Sequence, residues 1–134
     1  WGGHVIMGFN LIKFKKYNEA LVELENALRQ NYSGLTLSGY GGLLGLMGEK
    51  EKALKVVEQM EALRQTQPVA NYDMGIVHAC LGDIDTAYGF FIKAIESHEP
   101  PMLFFRYILR DWLDNFKSVP HYKNLLEKLL IKSQ

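Results

Sequence analysis

One apolar pattern recurs three times along this chain of 134 residues, and it constrains the fold more than any other feature. Ala20, Leu24 and Ala27 carry it first, then Ala53, Val57 and Met60, then Ala87, Phe91 and Ala94. Each set has the i, i+4, i+7 spacing that lines up side chains on one face of a helix. A small residue beside a large one lets a second helix come close and then grip. The leading alanines stand 33 and 34 residues apart, the period of a helical repeat array. Five residues before them stand Lys15, Gly48 and Gly82, which read as the turns into these helices. Twelve residues before them stand Gly8, Gly41 and Gly75. A glycine inside a helix costs about 0.5–1 kcal/mol relative to alanine, so three in register predict crossings where a Cβ would collide.

This arrangement resembles the tetratricopeptide repeat, in which two antiparallel helices meet through small residues across a glycine turn. The resemblance spans residues 1 to about 98. It departs from the family where Lys15 replaces the turn glycine, where Met60 replaces a small residue, and where Leu11, Leu44 and His78 hold a tyrosine-like position. It implies an all-α, right-handed superhelix of three helix hairpins plus a C-terminal capping helix. The whole chain reads as one such domain, with repeats over about 1–33, 34–67 and 68–99 and a cap over 100–134.

Helices are expected over Gly3–Phe14, Asn18–Asn31, Leu35–Met47, Glu49–Gln65, Val69–Leu81 and Asp83–Ser97. Asn18 reads as an N-cap, and Pro68 as the opening of a helix. The first helix is apolar on nearly every side, which predicts burial on more than one face. The chain therefore reads as part of a longer protein, with Val5, Phe9 and Ile12 left uncovered and able to drive self-association. After Pro100, Met102–Phe105 forms a short apolar knot. Trp112, Phe116 and Tyr122 then lead into a final amphipathic helix opened by Ser118 and Pro120. This tail resembles the C-terminal repeat region of bacterial signalling proteins: class III adenylate cyclases, winged-helix activators and serine/threonine kinases. Lys117, Ser118 and Pro120 match that pattern, while Phe116, Val119 and Tyr122 depart from it. The resemblance implies a regulatory module attached to an effector.

Charge and chemistry narrow the function further. Fifteen basic and fifteen acidic side chains cancel, which argues against steering toward nucleic acid or an anionic membrane. One cysteine excludes an intrachain disulfide framework, and no apolar run suits membrane insertion. The compartment implied is cytoplasmic, or periplasmic if the parent spans a membrane. Gly39–Gly45 imitates a dinucleotide-binding glycine pattern but lacks the preceding strand, so helix packing explains it. His78 and Cys80, two apart on a helix, cannot converge on one metal or proton. Asp83 and Asp85 read as helix capping, and His4, His98 and His121 are scattered. No catalytic residue, cofactor or metal site is expected.

What remains is surface. By the resemblance, the first helices would line a concave groove through Val5, Phe9 and Ile12, then Ser38, Gly42 and Gly45, then Tyr72, Ile76 and Ala79. Such an apolar, glycine-floored channel fits a peptide segment or partner protein, with Tyr72 the foremost anchor. The competing expectation is a small-molecule sensor holding its ligand near Tyr72 and His78. A third is that the groove is filled by the chain's own terminus or a second copy.

Overall fold

A computed structural model describes residues 2–99. The expected cap over 100–134, with Trp112, Phe116, Ser118, Pro120 and Tyr122, lies outside the described residues. Those described form six helices and no strand: α1 (Gly2–Lys13), α2 (Tyr17–Gln30), α3 (Gly34–Leu46), α4 (Lys50–Leu63), α5 (Asn71–Cys80) and α6 (Ile84–Glu96). None is long and apolar enough to cross a membrane.

Consecutive helices form hairpins because α1, α3 and α5 end in the same way. After each, one residue turns left-handed: Lys15 at φ 60°, Gly48 at 83° and Gly82 at 89°. The following N–H then reaches back five residues, Lys16 to Leu11 O at 2.8 Å, Glu49 to Leu44 O and Asp83 to His78 O at 2.9 Å. This is the Schellman closure, and it delivers the chain straight into the next helix. α6 ends likewise, with His98 at φ 56° and Glu99 N bonded to Ala94 O at 3.0 Å. Lys15 and His98 carry a Cβ into a region that costs an ordinary residue about 1–2 kcal/mol.

The three leading alanines, Ala20, Ala53 and Ala87, are fully buried. Opposite them lie the in-register glycines. A methyl group added to Gly8 would stand 2.8 Å from Leu24 Cγ, on Gly41 2.7 Å from Val56 Cγ1, and on Gly75 2.7 Å from Phe91 Cδ1. Each glycine therefore accepts a large side chain from the second helix of its own hairpin. The second stripe differs from expectation in one place. Val56 is buried against Gly41, whereas Val57 is only partly buried. In the first hairpin His4 Nδ1 also meets Glu23 Oε2 at 2.5 Å, tying α1 to α2.

Between hairpins, α3 packs on both α1 and α5, and α2 and α4 each touch the following first helix. The second helices make no comparable contact with one another. At Gly45 the α3 backbone comes close to the end of α5, the Cβ position lying 3.0 Å from the Cys80 carbonyl carbon. Two buried clusters result. One joins Ile12, Leu24, Leu43, Tyr72, Ile76 and Phe91; the other joins Leu37, Leu44, Val56, Met60, Met74 and Val77.

Three local expectations are corrected. Asn18 is exposed inside the first turn of α2, and Lys16, without a side-chain cap, holds the N-cap position. The Schellman bond already fixes Lys16 there. Pro68 does not open α5, which begins three residues later at Asn71, where Glu99 accepts the Asn71 N–H at 2.9 Å. Ile12 is buried rather than uncovered, and among the described residues of this region Met7 (50%) and Phe14 (69%) are the exposed large apolar side chains.

Three substitutions test this account by chemical denaturation. Gly75→Ala gains about 1 kcal/mol of helix propensity but must displace a fully buried ring, so a net loss of about 1–2 kcal/mol is expected. Lys15→Gly relieves the left-handed strain and should gain about 0.5–1 kcal/mol, while Gly82→Ala, with open space around it, should lose about 1 kcal/mol.

Candidate functional site

The residues expected to line a groove divide into two groups. Val5 and Phe9 lie on α1, but their side chains fall outside the described set. Ile12, Ser38, Gly42, Tyr72, Ile76 and Ala79 are buried, and Gly45 is partly buried against the end of α5. Ile12, Tyr72, Ile76 and Ala79 belong to the same apolar cluster as Ala20 and Phe91. Tyr72 lies 6.4 Å from the Phe91 ring, and burial, with the Glu99 charge second, raises its phenol pKa. Ser38 donates to Leu35 O at 2.8 Å, a bond within its own helix.

Tyr72 and His78 both lie on α5. Six residues apart on α5, they point to different sides of the helix. His78 stacks on Phe90 at 5.4 Å between centroids, with Lys93 Nζ 5.4 Å from the same ring. Phe90 borders the second cluster, not the one that holds Tyr72. Burial lowers the His78 pKa, and Asp83 and Glu61 work against that. Its Nδ1 is buried without a hydrogen bond and lies 3.9 Å from Asp83 Oδ2. Cys80 is buried, and its thiol is pushed up to about 12 by desolvation alone. It therefore lacks the thiolate that nucleophilic or redox work needs. Asp83 is the N-cap of α6 and accepts from Thr86 N at 3.4 Å, while Asp85 sits in the first turn. Among the described residues no group of three or more His, Cys, Asp or Glu side chains is placed to hold a metal ion.

A site that the sequence did not single out opens at the N-terminal ends of α3 and α5. A cavity of about 450 Å³ is lined by Ser33, Gly34, Leu35, Gln67, Pro68, Val69, Ala70, Asp73 and Glu99. Local bonding builds its rim. Ser33 and Thr36 form a capping box at the start of α3, and the Thr36 hydroxyl donates to Asn31 O at 2.7 Å. Glu99 accepts from the Asn71 backbone and also from Asn71 Nδ2 at 2.5 Å, while Arg64 donates to Asn71 Oδ1 at 3.2 Å. These bonds tie the ends of α4 and α6 to the start of α5.

Asp73 stands apart in this cavity. It is 5% exposed, and its Oδ1 accepts no hydrogen bond. Its carboxyl is raised to about 7, first by desolvation and then by the Glu99 charge, with the Ser38 hydroxyl acting in the opposite sense. That hydroxyl has a single proton, already given to Leu35 O, so its help is small. One signal was legible in the sequence: Asp73 is the sole acidic residue in α5, a helix otherwise mostly apolar.

No family model, curated protein or solved structure matches the chain.

The raised carboxyl sets a pH dependence. An unfolded aspartate titrates near 3.8, so between pH 4 and 7 the folded chain holds more protons than the unfolded one. Stability attributable to Asp73 is thus greatest below pH 4, falls as pH rises through 7, and is level above that. Asp73→Asn should stabilise the chain by about 2–4 kcal/mol at pH 8 and by little at pH 4, as read by denaturant unfolding at both values. Cys80 should resist maleimide in the native state and react only on unfolding, as followed by mass spectrometry.

Proposed function

We propose that this chain is a tetratricopeptide-type interaction module, non-catalytic in itself, of the kind that regulates or assembles bacterial signalling proteins. The observation that carries the reading is the unequal approach of the two helix layers. First helices α1, α3 and α5 stack on one another, whereas α2, α4 and α6 do not do so comparably. A row that is tight on one side and splayed on the other bends toward the tight side, as helical solenoids do. The hairpin register and the glycine crossings support the same reading.

On this reading the partner is a peptide or protein segment that docks along the first helices, between Ser38 on α3 and Tyr72, Ile76 and Ala79 on α5. These side chains are buried in the free chain, so binding requires the trough to open. Association that waits on such a rearrangement is slow compared with docking on a preformed surface. Apolar burial at roughly 25 cal/mol per Å², less the cost of ordering, supplies the affinity. Self-association at this end is supported by the exposed Met7 on α1 and Phe14 just past its last residue.

The test is peptide selection against the chain, followed by photo-crosslinking of the selected peptide. Adducts on α3 and α5 near Ser38 and Ala79 are expected. Adducts confined to α2, α4 and α6, or no selectable peptide, would overturn the reading.

A further inference from the structure

We propose that the cavity between the starts of α3 and α5 is a subsite for an organic cation: a primary ammonium or guanidinium carried on a short apolar stem. The inference does not depend on the trough described above. Its walls are Leu35, Pro68, Val69 and Ala70, and its charged groups are the carboxylates of Asp73 and Glu99. Among the described residues no lysine, arginine or histidine lines it. Its volume of about 450 Å³ falls in the range of small-molecule sites.

The two carboxylates are not equivalent. Glu99 is engaged twice by Asn71 and closes the start of α5. Asp73 Oδ2 lies 3.4 Å from the position a Cβ would take on Gly34, while Oδ1 is sealed inside and receives no donor. A buried carboxylate short of donors is costly, and a charged donor at Oδ2 offsets that cost while neutralising the acid. Because Gly34 lacks a side chain, the carboxylate keeps its room at the cavity wall. A divalent metal would need more oxygen ligands than these two side chains supply. An alkyl stem bearing N–H donors satisfies the walls and the acid together.

Binding of a cation to ionised Asp73 displaces the proton held there near neutrality, so affinity should be about tenfold weaker at pH 6 than at pH 8. The experiment uses the full chain with n-butylammonium, ethylguanidinium, the tripeptide Ac-Ala-Lys-Ala-NH2 and the neutral isostere 1-butanol. Thermal shift and ¹³C NMR of the Asp73 carboxyl are the readouts. Expected are a dose-dependent rise in Tm of at least about 2 °C with a cation, a downward move of the Asp73 titration, and loss of both in Asp73→Asn. That variant should be well folded because it removes a buried charge, and circular dichroism checks this. A response to the free amines alone marks a small-molecule site, and a response to the tripeptide alone marks a peptide-borne lysine. Three results would overturn the proposal: an equal response to 1-butanol, a response retained in Asp73→Asn, or no response to any cation. A response to Mg²⁺ or Ca²⁺ in place of the amines would do so as well.

Discussion

The architecture depends on how closely the two helices of each hairpin can approach. Gly8, Gly41 and Gly75 set that distance, because each occupies the point where Leu24, Val56 or Phe91 enters from the facing helix. Three helical glycines cost about 1.5–3 kcal/mol in propensity. Burying a large apolar side chain returns about 1.5–3 kcal/mol apiece. The balance favours close crossing only if the opposing residue is large and the flanking ones are small. That is the arrangement of Ala87, Phe91 and Ala94, all buried with no exposed surface.

Once each hairpin closes, the row follows from what its surfaces leave to cover. The first helices carry apolar residues on more than one side: in α3 Leu37, Leu43 and Leu44 are all buried, together with Gly39, Gly41 and Gly42. Such a helix needs neighbours on both flanks, and α3 has α1 and α5. The second helices are amphipathic, with exposed Glu51, Lys52, Lys55, Glu58 and Glu61 along α4, and need only one packed face. The inequality between the two layers is thus already present in their composition.

The repeat was legible because it is a requirement stated three times, so that a deviation in one unit does not hide the rest. Lys15 shows this: it adopts the left-handed turn that Gly48 and Gly82 adopt more cheaply. Features that were not legible arise between units or depend on a single bond. The Schellman closure leaves Lys16 at the N-cap position of α2, although Asn18 is the better capping residue by type. The start of α5 shifted from Val69 to Asn71, where a carboxylate 28 residues away meets the Asn71 backbone. Val56 replaced Val57 at its crossing, a displacement of one residue that periodicity alone does not resolve. Of the side chains expected open on the groove face, the described Ser38, Tyr72, Ile76 and Ala79 are buried, since local pattern gives a helix face but not what lies against it.

Asp73 belongs to this second kind, and its position separates folding from recognition. Carboxylates at the start of a helix are ordinarily explained by the free N–H groups and dipole there. At α5 that role is taken by Glu99, which bonds the Asn71 N–H directly. Asp73, in the same first turn, is left with a bare oxygen and a like charge beside it. Nothing in the capping of α5 requires it, and a small domain with total stability of about 5–15 kcal/mol carries such a burden at a noticeable cost. The acid is therefore a buried polar group whose removal should leave the helices better held and the cavity chemically different.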